Sequence, residues 1–423
     1  MKRQNGSADG MRFDSILLEH YCCFERLELK FDPSFNLIAG ANGAGKTAIL
    51  RALVWPLRDA LGGTQLVHPN DARVTAEGTH QNIVFHRTGP MRLRVMLNAF
   101  GEICDFGQKI ELQKSEFNPV AHDISKIGER MRNPSTDTTL PLVAFYPTGR
   151  SWRNVQSSSV DWNTAMRQKV KRPDGYERSL EPRESLSEVI AWLIREEVIG
   201  LQNGGRTTGM NIVQAAICEA LEGASGIQFR VAEGEVIVTF SDGSASRLSE
   251  LSDGQRHMFA MFGDLAIRAF QLNGHLAERT LTETPGVVLI DELDMHLHPK
   301  WQRHIVHGLK KAFPKVQFIA TSHSPQIISE LPPEQVIILS KEGASHPARS
   351  FGKDTNYILR EVMDAEPRNT ETAAEIDRIR DLIDEEDYDA ATAAIDALRE
   401  KIGPDVELTR AQALVDRIVM VGT

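Results

Sequence analysis

Cysteine is scarce: Cys22, Cys23, Cys104 and Cys218 are the only four in 423 residues, and none stand in a Cys-x-x-Cys spacing. Adjacent cysteines such as Cys22–Cys23 rarely bridge, which argues against a disulfide framework and points to a reducing cytoplasm. No apolar run reaches the length of a bilayer-crossing helix, and Met1 to Gly10 is polar without a hydrophobic signal core. A membrane-spanning or secreted protein is therefore not expected, and no membrane partner is implied. Glycine (31) and proline (19) stand at ordinary levels, with no internal repeat, so collagen-like and mostly disordered chains are excluded. What is present is 41% hydrophobic and 25% charged residues, enough for two or three lobes with sizeable cores.

The net charge of −10 is unevenly spread. Residues 355–423 carry 17 acidic and 8 basic side chains, whereas the remainder carries 41 and 40. The acidity belongs to the last sixth of the chain, so it says little about whether the body meets nucleic acid.

Hydrophobic periodicity predicts an α/β chain. Residues 1–10 read as a flexible tail. Met11 to Phe31 reads as two short strands and Phe35 to Ala39 as a third, leading into a glycine loop and a helix over Thr47 to Leu61 that Pro56 is expected to kink. Strands follow at Ile83–His86, Met91–Leu97 and Leu142–Tyr146. Residues 149–225 change character and read as an inserted basic, helical lobe, with helices at Leu186–Leu201 and Met210–Leu221. Residues 226–350 return to α/β. Two strands lie within Ile227–Phe240, a helix over Ser252–Leu272 and a strand at Gly286–Ile290. A helix over Lys300–Phe313 and strands at Val316–Ala320 and Gln335–Leu339 complete that lobe. Uninterrupted apolar runs of this kind suit parallel strands covered on both faces. Residues 351–423 read as an acidic helical extension: a pair over Glu371–Leu398, broken near Glu386–Tyr388, then a helix over Thr409–Val419.

The strongest motif is Gly40-Ala41-Asn42-Gly43-Ala44-Gly45-Lys46-Thr47, which fits G-x-x-x-x-G-K-[ST] between an apolar strand and an amphipathic helix. Its glycines let successive N–H groups converge on phosphate oxygens, and the helix starting at Lys46, Thr47 and Ala48 adds its positive end. Lys46 is expected to reach the β- and γ-phosphates of ATP, and the Thr47 hydroxyl to hold Mg²⁺. Val287-Val288-Leu289-Ile290-Asp291-Glu292 is a buried strand ending in two carboxylates at the edge where parallel sheets bind ligands. Asp291 is expected to hold Mg²⁺ and Glu292 to act as general base on the attacking water.

Leu251-Ser252-Asp253-Gly254-Gln255-Arg256 resembles the LSGGQ signature of ABC ATPases, with Asp253 in place of one glycine. The resemblance implies that Ser252, Asp253, Gly254 and Gln255 approach a γ-phosphate held by a second protomer. An ordinary helix cap is the competing reading. In Thr321-Ser322-His323-Ser324-Pro325, His323 falls where ABC ATPases carry a switch histidine.

The order phosphate loop, insert, LSDGQ, LIDELDMHLHP, ATSHSPQII resembles the RecF/SMC-like ABC ATPases. It implies an ABC-type ATPase head, mostly parallel sheet plus antiparallel N-terminal strands, with a helical lobe insert and a C-terminal helical extension. His298 stands where many ABC proteins have a dimer-interface aspartate, and the His-Leu-His-Pro form is similar to OLD-type and related bacterial defence ATPases. His296 and His298 form an H-x-H pair that lacks a third zinc ligand. The Pro141-to-Arg150 segment and the stretch from Phe351 to Asn356 resemble the subgroup holding the ATPase subunits of Septu-type antiphage systems and some retrons. That subgroup implies a homo-dimer or higher oligomer working with a separate effector, an HNH nuclease, for which the acidic helices offer a dock. The chain itself is not expected to be a nuclease, because Asp384-Glu385-Glu386-Asp387-Tyr388-Asp389 reads as a solvated face. For the lid glutamine, Gln65 and Asp71-Ala72-Arg73 are the candidates. Arg150, Arg153, Arg167, Lys169, Lys171, Arg172, Arg178 and Arg183 read either as a DNA-phosphate surface or as a solvated or tail-facing one. A RecF-like repair ATPase acting on DNA without a nuclease stays open as the alternative.

Overall fold

Buried apolar runs need a sheet covered on both faces, and these runs supply its centre. The computed structural model describes residues 10–62, 74–79, 82–87, 90–110, 122–148, 171–181, 185–230, 233–340 and 342–421. The chain divides into two compact units, Met1–Lys353 and Asp354–Thr423.

The first unit opens with β1 (Arg12–Tyr21), β2 (Phe24–Lys30), β3 (Phe35–Gly40) and helix α1 (Lys46–Ala60), which continues through Pro56. The hairpin β4 (Val74–Thr79) and β5 (Asn82–Arg87) precedes β6 (Met91–Ala99), β7 (Glu102–Ile110), α2 (His122–Arg132) and β8 (Leu142–Tyr146). A 3-10 turn at Arg172–Tyr176 leads to α3 (Ser185–Gln202), α4 (Thr208–Ala220) and the small sheet of β9 (Ala224–Arg230), β10 (Glu235–Phe240) and β11 (Ala245–Arg247). Then come α5 (Asp253–Asn273), β12 (Gly286–Ile290), α6 (Pro299–Ala312), β13 (Val316–Thr321), β14 (Val336–Ser340) and β15 (Gly343–Ser345).

The main sheet runs β15-β14-β3-β13-β12-β8, parallel throughout except for β14–β15. Its central strands β12 and β13 are buried from end to end. A second sheet, β2-β1-β6-β7, is antiparallel. The fold is α/β, with a mostly parallel sheet and antiparallel N-terminal strands. Periodicity missed β7, which buries Cys104 and Phe106 but leaves Ile103 62% exposed, blurring the alternation. It also missed α2, whose inward residues Ile124, Ile127 and Met131 are few among charges.

Helices α3 and α4 pack on α5 within the first unit. Helix α5 also carries a buried polar cluster. The Tyr146 hydroxyl donates to Asp264 Oδ2 at 2.7 Å, and Arg268 Nε donates to the same oxygen at 3.0 Å. Arg268 also donates to the carbonyls of Gly175 (2.7 Å) and Glu177 (3.2 Å). Asp264 and Arg268 are 5% and 3% exposed, so water cannot replace a lost partner. Arg268→Ala is expected to lower stability by about 3–5 kcal/mol, read from the urea midpoint. A loss under about 1 kcal/mol would show that the pair is not the lock it looks like.

Arg172 departs from the surface role expected of it. Its guanidinium donates to the carbonyls of Leu272 (2.8 Å), Ser135 (2.9 Å) and Thr136 (2.9 Å), and to that of Thr138. Those bonds make it a clamp between segments, not a phosphate contact. Arg178 is paired with Glu181 and Glu188, and Lys171 is exposed. Arg150, Arg153, Arg167, Lys169 and Arg183 lie outside the described residues, as do Gln65 and Asp71-Ala72-Arg73.

The second unit contains α7 (Thr370–Asp384), α8 (Tyr388–Ile402) and α9 (Val406–Val421). Ile376, Ile379, Ile383, Ala391, Ile395, Leu398, Leu408 and Val415 form its core. The break after α7 is a capping site: Asp387 Oδ1 accepts from the Ala390 N–H at 3.1 Å. Arg368 grips Asp405 with two bonds, at 3.0 and 3.1 Å.

Candidate nucleotide site

The parallel strands β3, β13 and β12 are adjacent, so residues following each meet at one edge of the sheet. From β3 the chain turns through Gly40–Gly45 into α1. Gly45 caps that helix at φ 95°, and a Cβ there would lie 2.4 Å from Phe24 Cζ and 2.5 Å from Cys23 Sγ. Only glycine lets the loop lean on the β1–β2 turn. Asn42 and Gly43 are exposed at its tip, and Lys46, Thr47 and Ala48 form the first turn of the 15-residue helix. The Lys46 ammonium donates to the carbonyls of Gly40 (3.0 Å) and Ala41 (2.9 Å), which holds it across the loop's mouth. Burial lowers its pKa from the ordinary lysine value, while the carboxylates of Asp291, Glu292 and Asp294 pull the other way. Loop N–H groups, a helix start and this cation are what a phosphate chain binds.

After β12, Asp291 is 1% exposed and holds two hydroxyls. Thr47 Oγ1 donates to its Oδ2 at 2.9 Å, and Thr321 Oγ1 donates to its Oδ1 at 2.6 Å. The same Thr321 oxygen accepts the Glu292 N–H at 2.7 Å. Glu292 takes a left-handed backbone (φ 50°), a conformation costing a non-glycine residue about 1–3 kcal/mol unless its surroundings hold it. Thr321 is the holder. It was not singled out from the sequence, though its place immediately before Ser322-His323 was the available signal. The oxygens of Thr47 and Asp291 are hard donors side by side, a pair that fits Mg²⁺.

His323 follows β13 and shares this edge. Burial, then the nearby Lys46 charge, lowers its pKa from the usual imidazole value, with Asp294, Glu292 and Asp291 opposing. That direction favours the neutral imidazole, whose unprotonated nitrogen can accept a hydrogen bond from water.

Ser252 and Asp253 are exposed at the N-terminus of the 21-residue α5. Ser252 Oγ accepts from the Gln255 N–H at 3.3 Å while Gln255 Oε1 accepts from the Ser252 N–H at 3.0 Å, a reciprocal cap. Asp253 pairs with Arg256. Gly254 is buried, and a Cβ there would come within 2.8 Å of the His296 carbonyl oxygen, so only glycine fits this approach. Capping thus explains Ser252 and Gln255 locally and leaves the hydroxyl and the helix dipole at the surface. The His296 ring lies beside that of His257, and His298 Nδ1 accepts the Lys300 N–H at 3.3 Å to cap α6. Among the described residues no three potential ligands cluster around a metal position, and this covers both the His296–His298 pair and the Asp384–Asp389 run. Among them, too, no helix is long and apolar enough to cross a membrane.

Two family models and several curated relatives match this chain. Residues 143–329 match the family model described as "AAA domain, putative AbiEii toxin, Type IV TA system", and residues 15–202 match one described as "AAA domain". The "Retron Vc95 probable ATPase" of Vibrio cholerae serotype O1 biovar El Tor is 23% identical over 409 residues, covering 82% of this chain and 78% of that protein. The "Septu protein PtuA" of Bacillus mycoides (strain KBAB4) is 42% identical over 106 residues, 25% of this chain and only 14% of that one. The head domain of an SMC protein, solved bound to the C-winged helix domain of ScpA, aligns with a TM-score of 0.47 at 13% identity, over 79% of this chain and 96% of that one. Two matching AAA models, relatives of these names and a phosphate loop bonded to a strand-end carboxylate lead to one conclusion: the chain carries an AAA-type ATPase domain and is similar to a retron probable ATPase and to Septu protein PtuA.

Proposed function

We propose that the chain is the ATP-hydrolysing subunit of an antiphage defence complex, and that its nucleotide state governs a partner nuclease of the HNH class. The observation that carries the ATPase part is the bonded chain Thr47–Asp291–Thr321–Glu292, which ties the phosphate loop to the strand-end carboxylates. Lys46 and the loop N–H groups bind the phosphates. Thr47 and Asp291 would hold Mg²⁺, which neutralises phosphate charge when bound. Glu292 orients water and takes its proton as oxygen bonds to the γ-phosphorus and the bond to the β-phosphate oxygen breaks. His323 accepts a hydrogen bond at the same reacting centre.

Ser252, with the exposed start of α5, completes the site of a second protomer, so that two chains sandwich ATP. The defence role is supported by relatives named for retron and Septu systems. The partner docks on the helical unit Asp354–Thr423, and the chain is not itself the nuclease. Tagged protein purified from its native host with ATP and Mg²⁺ is expected to bring down a stoichiometric small nuclease, and removal of residues 357–423 to lose it. A homo-oligomer without a partner, whose ATPase is stimulated by DNA, would instead make it a repair enzyme.

A further inference from the structure

We propose that Asp294 is a positioning residue that sets His323 for hydrolysis, an inference that rests on the site being the ATPase centre. The turns after β12 and β13 are joined by hydrogen bonds of two kinds. One kind holds Thr321, which bonds Asp291 and Glu292 through its hydroxyl and accepts the Leu293 N–H on its carbonyl at 2.8 Å. The other kind converges on one carboxylate oxygen further along. Asp294 Oδ1 accepts from Ser322 Oγ at 2.6 Å and from the His323 N–H at 3.3 Å. Ser322 Oγ in turn accepts the Ser324 N–H at 2.9 Å.

His323 belongs to no helix or strand, so regular secondary structure does not fix its backbone. Beyond it, Ser324 Oγ donates to Gln302 Oε1 at 2.7 Å, and Gln302 Nε2 donates to the Leu297 carbonyl at 2.9 Å, tying the far side of the turn to the same 291–298 segment. The histidine therefore moves with the loop that carries Asp291 and Glu292, and Asp294 is the link at the histidine itself. A histidine held at its backbone keeps its ring in one place relative to the reacting phosphate, which is where an error of about 1 Å costs about 10²-fold in rate.

The experiment is a double-mutant cycle in the full-length protein, with kcat and the KM for ATP read by phosphate release. His323→Ala alone is expected to lower kcat by about 10²-fold. If it does not, the reading of the site is at fault and the proposal falls with it. With that effect present, Asp294→Ala is expected to lower kcat by about 10-fold or more while the ATP KM stays within about twofold. Asp294→Asn, which keeps a carbonyl acceptor for both donors, is expected to recover to within about threefold of wild type. His323→Ala combined with Asp294→Ala is expected to be no slower than His323→Ala alone. A kcat near wild type in Asp294→Ala overturns the proposal, as does full multiplication of the two effects. So does a loss in Asp294→Ala that falls mainly on KM, which would mark a general collapse of the site.

Discussion

Glu292→Gln is expected to keep ATP and lose its hydrolysis, with turnover reduced by about 10²–10⁴-fold. The amide has the shape of the carboxylate but cannot take the proton of the attacking water. Its backbone anchor, the bond from the Glu292 N–H to Thr321 Oγ1 at 2.7 Å, does not depend on the side chain and survives. Binding contacts also survive, because Lys46 and Thr47 are untouched. ATP that is held and not spent keeps two protomers together, so light scattering is expected to show a dimer in ATP that the wild type forms only transiently. Normal phosphate release by this variant would move the base to another residue.

Lys46→Ala is expected to lose ATP itself. The ammonium sits at the mouth of the loop on two carbonyls, at 3.0 and 2.9 Å, acceptors it would exchange for phosphate oxygens. Hydrogen bonds to charged groups contribute about 1.5–3 kcal/mol each, so affinity is expected to fall by about 10²-fold. Titration with a fluorescent ATP analogue reads this directly, and the folded fraction is checked by thermal melting. An unchanged dissociation constant would mean that the phosphates lie elsewhere.

The nucleotide edge was legible because its chemistry is local. A glycine loop, an apolar strand ending in Asp291-Glu292 and a histidine after a third strand are each readable from a few consecutive residues. Their meeting followed from parallel pairing, which brings the ends of adjacent strands together. Thr321 and Asp294 were not legible as parts of the site, since their roles come from bonds between turns 28 or more residues apart in sequence. Arg172 was misleading for the converse reason. It stands in a basic stretch, yet four carbonyls from two distant segments claim its guanidinium. A charge run reveals composition, whereas whether a cation is free depends on which backbone packs beside it. Strand β7 and helix α2 were lost to amphipathic patterns diluted by an outward Ile103 and by charges.

The central claim is that each ATP is closed by two protomers, the Lys46 loop of one and the Ser252 helix of the other. Mixing Lys46→Ala protein with Ser252→Arg protein tests it most directly. Each is inactive alone, but a mixed dimer concentrates both lesions in one composite site and leaves the second site intact. With random exchange, ATP turnover is expected to return to about one quarter of wild type, and Lys46→Ala mixed with itself to show none. Recovery supports sites shared between protomers. A mixture as inactive as its components, with exchange confirmed by differential tagging, would show that each chain closes on its own nucleotide and would contradict the sandwich.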